Sequence, residues 1–394
     1  MIRLKTLARI SATTLLAIAG TYQLSSCSDD DDEPKVDITG TGVTAGSSNQ
    51  STREVYLLNE GNMGKNNASL DCFDYSTGKY FLNIFAAYNP TATLGLGDTG
   101  NDLQTYNGRL YAVINGSNLV QVTDLSTGLA RGTISIPSPR NIAFGGNYAY
   151  VTSYSSASAG DEKQPKGSVY KVNLSTLAIE GNAVTGYQPE GVVYSDGRLF
   201  VANSGGYMYP NYEHTISVVD AASMKVTGTI DCGLNLGDEV LDSRGNLYVI
   251  STGNYSTVSS KIYVINTRTA TVSDSIATSV SAMAVAGDSL YIIGVEYKAP
   301  TYEPVNSYAL YNTATRQFVG NGFITDGTGS AITLPYAVAV NPATREIFVA
   351  DAKDYKTPGE LRCYSQKGAL KWKATTGVIP GHIAFSDKRL KGLK

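Results

Sequence analysis

From about residue 54 to the C-terminus one hydrophobic pattern keeps returning: an apolar stretch, a Gly-containing turn, then a strand of the Leu-Tyr-Val type ending on a small polar residue. Clear copies occupy residues 103–113, 142–152, 192–202, 240–250 and 283–293, and the copy at 338–350 differs in having a turn two residues longer. Each copy predicts two antiparallel strands, because short apolar runs bounded by turn residues suit strands that are buried on at least one face. A seventh copy is split between the ends of the chain. Ile383, Ala384 and Phe385 supply its first strand, and Val55, Tyr56, Leu57 and Leu58 its second. Pairing the two closes the array on itself and removes the open edges.

A second signature counts the units independently. Each copy is followed by alternating apolar residues and a turn opening on Asp, Asn or Ser, at Asp74, Asp124, Asn173, Asp220, Asn266, Asn312 and Ser365. Asp-x-Ser-Thr-Gly stands at Asp74 and Asp124, where the acid can accept turn amides and Gly can take a positive φ. Successive copies lie about 47 residues apart, which suits four short strands per unit. Helical periodicity is nearly absent, and the Val, Ile, Tyr and Thr content argues against helical repeats. A pair of β-sandwiches would not explain a seventh copy split between the termini. The expectation is an all-β, seven-bladed β-propeller over residues 54–394. Its four-stranded blades run from strand A at the axis to strand D outside, and the C-terminal strand pairs with the N-terminal blade.

Ahead of the repeats the pattern changes twice. Residues 1–27 read as a lipoprotein signal peptide: basic Arg3, Lys5 and Arg9, an apolar stretch over 10–20, then the lipobox Leu24-Ser25-Ser26-Cys27. Cys27 is the expected lipidation site, anchoring the chain in outer-membrane lipid. Residues 28–53 open with Ser28-Asp29-Asp30-Asp31-Asp32-Glu33 and continue polar, so they are expected to form an acidic, flexible tether. Net charge is −3 and spread out, with no basic stripe to neutralise phosphates, so nucleic acid is a poor partner. With Cys27 lipidated, three cysteines remain, an odd number that cannot all pair within one chain.

The loops treat the two faces of the predicted ring differently. A-to-B and C-to-D turns are mostly tight, whereas five B-to-C connections run long, at 154–167, 204–214, 252–260, 295–306 and 351–360. These hold eight tyrosines, Tyr154, Tyr207, Tyr209, Tyr212, Tyr255, Tyr297, Tyr302 and Tyr355, about twice the chain's average density. Tyr offers a rigid apolar plate with a polar tip, which suits a large, partly polar ligand, although such rings also pack on each other to order loops. The residues that begin the A strands in register are Asn101, Arg140, Glu190, Asp238, Ser281, Tyr336 and Gly381, and they are expected to ring the channel mouth on the long-loop face. Asn203, at the end of a B strand, joins this candidate ligand-binding set.

Familiar catalytic chemistry is missing. Two histidines, His214 and His382, fall on different blades with no cysteine at ligand spacing, so no zinc or iron centre is indicated and a loop histidine is expected to be solvated. There is no Gly-x-Ser-x-Gly elbow, phosphate loop or dinucleotide fingerprint. Asp98, Asp102, Asp238, Glu239 and Asp242 could supply a carboxylate pair, but acids at strand starts are common in β-rich chains. No catalytic residue, metal or cofactor is therefore assigned. Cys72 and Cys363 take equivalent positions in neighbouring blades, too far apart for a disulfide, and are expected to be buried thiols. Trp372, on an outer strand, is expected to serve packing.

The folded region resembles the YncE-type seven-bladed propellers, through repeats such as Pro189-Glu190-Gly191-Val192-Val193, Gly197-Arg198-Leu199-Phe200-Val201-Ala202-Asn203-Ser204 and Ile216-Ser217-Val218-Val219-Asp220. More narrowly it is similar to Bacteroidetes surface lipoproteins that capture cobalamin and other corrinoids. The features that carry this are Val55-Tyr56-Leu57-Leu58-Asn59-Glu60-Gly61-Asn62, Asn66-Asn67-Ala68-Ser69-Leu70, Gly97-Asp98-Thr99-Gly100-Asn101-Asp102, Ile114-Asn115-Gly116-Ser117-Asn118 and Pro139-Arg140, beside the lipobox and acidic run. The resemblance implies a non-enzymatic protein displayed on the outer membrane that passes a corrinoid to a TonB-dependent transporter. Two alternatives stay open: a surface glycan-binding propeller, and a propeller lactonase or lyase using channel acids. One fold hosts all three.

Overall fold

In the computed structural model, described over residues 36, 38–47, 51–157, 159–160, 163–297 and 303–394, each repeat forms one antiparallel sheet. The expected signal peptide, Cys27 and the acidic run lie outside the described residues. Numbering blades along the chain, strand B of blade 1 is Glu54–Asn59, and the A strands of blades 2 to 7 are Gly100–Tyr106, Pro139–Gly145, Pro189–Ser195, Leu236–Leu241, Ala282–Ala286 and Pro335–Val340. Strand A of blade 1 is Pro380–Ser386, from the far end of the chain. It pairs with Glu54–Asn59 in the expected register, Val55 opposite Phe385 and Leu57 opposite Ile383. Each A strand touches the A strands of the blades on either side, and blade 7 meets blade 1, so the described sheets form a closed ring of seven.

The turns that counted the units do so for a physical reason. The Oδ1 of Asp124 accepts the amides of Ser126 and Thr127, and Asn173, Asn266 and Asn312 each accept the amides two and three residues on. The side chain thus holds the C-to-D turn that the backbone alone would leave loose. At the opposite ends of the hairpins, Asn107-Gly108 and Asp196-Gly197 both take positive φ, the type I′ geometry that matches strand twist.

The core lies between blades. Val55, Phe73 and Tyr75 of blade 1 pack on Phe348, Leu361 and Trp372 of blade 7, and the rings of Phe73 and Trp372 lie 4.4 Å apart. Trp372 is therefore a packing residue, as expected. Cys72 and Cys363 are buried free thiols, and Cys232 is free and half-buried.

Blade 1 departs from the expected boundary at residue 54. Thr41–Gly42 adds a fifth strand outside Lys79–Phe81, with Thr41 opposite Tyr80. Val43 donates its amide to Gly78 (2.9 Å) and Ser47 to Tyr75 (2.8 Å). The polar composition that suggested a loose tether is no obstacle, because this strand docks through its backbone. Gly78, at φ +67°, permits the approach: a Cβ there would stand 2.1 Å from the Thr44 carbonyl oxygen. Between blades 1 and 2 the short helix α1, Ile84–Tyr88, and the C-terminal Leu390 and Leu393 fill one further apolar cluster.

Candidate functional site

The axial site is built by a backbone irregularity repeated around the ring. In six blades strand A opens with a β-bulge: Gly100 and Asp102 face Ile114 and Val113, Pro189 and Val192 face Asn203 and Val201, and Leu236 and Glu239 face Ser251 and Val249. Blades 1, 3 and 7 do the same, and only the pairing in blade 6 is regular. A bulge inserts one residue and re-aims its side chain. The expected mouth residues Asn101, Arg140, Glu190, Asp238, Tyr336 and Gly381 all lie within these bulges. In five blades the residue just before strand A, Thr99, Ser138, Gln188, Asn235 or Ile379, sits in the left-handed region. For branched Thr99 and Ile379 that costs roughly 1–2 kcal/mol each, a strain concentrated on the face that carries the site.

Two or three residues of every blade line the axis. A cavity of about 200 Å³ runs there, and beside Asp238 and Tyr336 it is lined by Asp102, Asn141, Glu239 and His382. The acids around it have different fates. Glu190 holds Arg140 through two contacts, 2.9 and 3.2 Å, and accepts the Tyr154 hydroxyl, while the Arg140 guanidinium lies 4.7 Å above the Tyr154 ring. Asn101 donates to the Arg140 carbonyl at 3.2 Å. Glu60 meets His382 Nε2 and the Tyr336 hydroxyl, each at 3.1 Å. Asp102 accepts the amides of Leu103 (2.7 Å) and Ile142 (3.0 Å). His382 is not a loop residue: it follows the bulge residue Gly381 on strand A and lines the cavity. Burial opposes its charged form, but the hydrogen bond and charge of Glu60, followed by Asp102 and Asp238, outweigh this and raise its pKa. His214 does behave as expected, exposed and 2.9 Å from Asp231.

Asp238 and Glu239 meet no side-chain donor of this kind, and Glu239 has only the backbone amide of Ala202 beside it. Asp238 is walled in by protein yet open to the lumen, and burial first, then the charges of Glu190 and Asp102, push its pKa up to about 6 against the opposing pull of His382 and Arg140. Both carboxylate oxygens of Glu239 are shut off from solvent without a hydrogen bond of good geometry. Burial and the neighbouring Asp238 keep its pKa well above the usual range, with the Ala202 amide opposing weakly.

The long loops meet above this mouth. Residues 154–167, 204–214 and 252–260 connect B to C as expected, while in blade 6 the strands themselves extend, Ser289–Tyr297 and Pro304–Asn312, and shorten that loop. Tyr302 lies outside the described residues. Tyr209 and Tyr255 are about three-quarters exposed, at 74% and 75%, and Tyr207, Tyr297 and Tyr355 are also exposed. Met63 and Leu94, on connections of the same face, are equally bare. The remaining expected residues are placed elsewhere. Tyr154 and Tyr212 are buried, Tyr154 against Arg140 and Tyr207, and Tyr212 between Tyr209 and Tyr255. Tyr336 is half-buried, edge-on to Tyr355. Asn203 is fully buried: it accepts the Gly186 amide (2.9 Å) and donates to Thr215 and Ser217 (3.1 and 3.0 Å). It fastens a loop and reaches no ligand surface. Glu60 was missed because its partners come from blade 7 and from the distant C-terminal strand.

Solved structures with this fold share little sequence. A quinoprotein alcohol dehydrogenase-like protein from Bacteroides thetaiotaomicron superposes with a TM-score of 0.60 at 15% identity, over 86% of this chain and 79% of that one. Hydrazine synthase from Kuenenia stuttgartiensis gives 0.56 at 15% identity, over 72% and 89%, and apo AztD from Citrobacter koseri 0.52 at 12%, over 86% and 99%. Such identities establish the propeller and nothing finer. No curated protein matches the sequence. A family model does, over residues 53–360, and the chain belongs to that family, described as a domain of unknown function, DUF5074.

Proposed function

We propose that this chain is a lipid-anchored cell-surface binding protein whose long-loop face captures a corrinoid and presents it to a TonB-dependent outer-membrane transporter. The observation that carries the reading is the gathering of exposed Tyr207, Tyr209, Tyr255, Tyr297 and Tyr355, with Met63 and Leu94, on one face of the ring. A corrin is a broad, largely apolar plate with an amide-bearing edge. Tyr rings offer it area and hydroxyls while losing little side-chain entropy, and the loops are preordered by the edge-to-face contacts of Tyr209, Tyr212 and Tyr255. Arg140 and Asn101 at the mouth add donors for amide carbonyls. The protein acts here by binding, with no bond made or broken, and lipidation at Cys27 with the acidic tether would hold it over its transporter.

The test is calorimetric titration of the compact unit Pro34–Lys394 with cyanocobalamin and with cobinamide. Saturable one-to-one binding is expected, weakened roughly a hundredfold when Tyr209, Tyr255 and Tyr297 become alanine, since three desolvated anchors are removed. Absence of heat and of any shift in the corrin spectrum at micromolar protein overturns the corrinoid reading. Binding of an oligosaccharide instead, lost in the same variant, moves the assignment to glycan capture.

A further inference from the structure

We propose that the loop-face rim of blade 1, formed by Met63, Lys65 and Leu94, is a lipid-contacting surface that rests on the membrane to which the chain is tethered. The inference rests on the anchored part of the reading above and is independent of the ligand.

Two connections build the rim. Residues 60–68 join strands B and C of blade 1, and residues 89–99 lead from helix α1 to strand A of blade 2. They are fastened to each other: Asn66 Nδ2 donates to the Leu94 carbonyl (2.9 Å), and the amides of Ala68 and Gly64 donate to the Gly97 carbonyl (3.1 Å) and the Asp98 carboxylate (2.8 Å). Along the second connection Ala92 and Leu96 pack into the apolar cluster of blades 1 and 2, while Leu94 between them is 73% exposed. Met63, on the first connection, is 76% exposed. Exposed apolar residues elsewhere, such as Ile179, Val226 and Val272, stand singly on outer strands and call for no partner. Met63 and Leu94 are instead held out on loops that brace each other.

The course of the N-terminal segment names the occupant. Lys79–Phe81 climbs from the C-to-D turn toward the loop face, and Thr41–Gly42 runs antiparallel to it. Ser47 meets the Tyr75 carbonyl at the turn end, so the chain ahead of Thr41 comes in from the loop-face end. Ile38 and Val36 pack on the same apolar cluster as Ala92 and Leu96. The segment is thus fixed to the blade whose rim carries Met63 and Leu94. Cys27 lies nine residues before Val36, which bounds its reach from that point at about 31 Å. Acyl chains on Cys27 therefore keep the lipid surface within that distance of blade 1. Charge agrees. Lys65 is the only ionisable side chain in residues 61–67 and 89–97, and a lysine beside apolar tips suits lipid phosphates. The exposed tyrosines, on blades 4 to 7, remain with the ligand. Two apolar side chains and one lysine are too little to draw the soluble unit onto a bilayer. A tether makes the contact intramolecular, and a weak contact then sets orientation.

The experiment places residues 28–394, which contain the whole compact unit Pro34–Lys394, on vesicles of phosphatidylcholine and phosphatidylglycerol. An N-terminal hexahistidine tag holds the chain to a nickel-chelating lipid. Cys232 is replaced by serine, Cys72 and Cys363 being buried, and an environment-sensitive fluorophore is attached at Thr93→Cys or at Ala314→Cys. Both positions are exposed, and Ala314 lies on a C-to-D turn of the opposite face. Quenching by a lipid spin-labelled near its headgroup should be at least about threefold greater at position 93 than at position 314. Met63→Asp with Leu94→Asp should bring the two positions level. Both replaced side chains are exposed, so this variant should melt with the parent. Equal quenching at the two positions in the parent, or quenching at position 93 unchanged in the double variant, overturns the proposal. So does a spectral shift at position 93 that grows with protein concentration in the absence of vesicles, which assigns the rim to a second copy. Because the tag supplies the anchor, failure of Cys27 acylation, read from the mass of the chain isolated from membranes, is a separate result, and so is failure to bind cobinamide.

Discussion

Glu54 shows how much a single burial decides. Its carboxyl sits in the closing blade, accepting the Leu390 amide at 3.1 Å and the Cys72 thiol at 3.4 Å. Burial first, and the nearby Asp74 second, push its pKa up to about 8. The folded chain therefore holds a proton that the unfolded chain gives up near pH 4.5. A raised pKa contributes stability that is fully present below the unfolded value and is lost as pH rises through the folded one. Each pH unit inside that window removes about 1.4 kcal/mol. Glu54→Gln keeps the carbonyl acceptor and carries no charge. It should be nearly neutral at pH 4.5 and stabilise the fold by a few kcal/mol at pH 8, as measured by urea unfolding at both values. Parallel pH trends for parent and variant would falsify the assignment. Asn203 is the opposite lesson: polar and near the loops, it reads as a ligand contact, yet all its bonds are internal. Polarity alone does not reveal whether a residue's partners are its own chain.

At the scale of the element, what was legible was local. Turn acids and period-two strands leave their mark within a few residues, so all seven units could be counted without coordinates. The bulges could not, because one inserted residue changes which side chain faces the axis while leaving the hydrophobic pattern almost intact. That is why the expected ring held one residue per blade and left out Asn141 and His382, while Glu239 was offered only as one of several carboxylates and not as part of the ring. The strand Thr41–Gly42 was hidden for a related reason: pairing through the backbone needs no apolar signature. Its docking is nevertheless specific, and Gly78→Ala tests it. The added methyl would meet the Thr44 carbonyl, so the segment 41–47 should detach while the seven blades persist. Hydrogen exchange should then accelerate at the amides of Val43 and Ser47, with those of Glu54–Asn59 unchanged. Uniform acceleration across blade 1 would show instead that the strand is integral to the blade.

For the whole molecule the decisive contact is the one longest in sequence. Strand Pro380–Ser386 covers the inner edge of Glu54–Asn59, supplies His382 to Glu60, and is followed by Leu390 and Leu393, which seal the apolar cluster around Tyr56 and Ile84. Six blades alone would leave an unpaired strand edge, an unpartnered axial glutamate and bare apolar surface, three penalties falling at the same seam. A chain ending at Ile379 should therefore lose its cooperative thermal transition rather than melt slightly earlier, because each blade's inner face depends on both neighbours. A synthetic peptide of residues 380–394, added in excess, should restore the transition by linkage, with a midpoint that rises with peptide concentration. Near-ultraviolet circular dichroism, dominated by the tyrosines packed between blades, reports both effects. A truncated chain that melts cooperatively within about 5 °C of the full one would mean that the ring holds without its closing strand, and that stability resides in the blades taken singly.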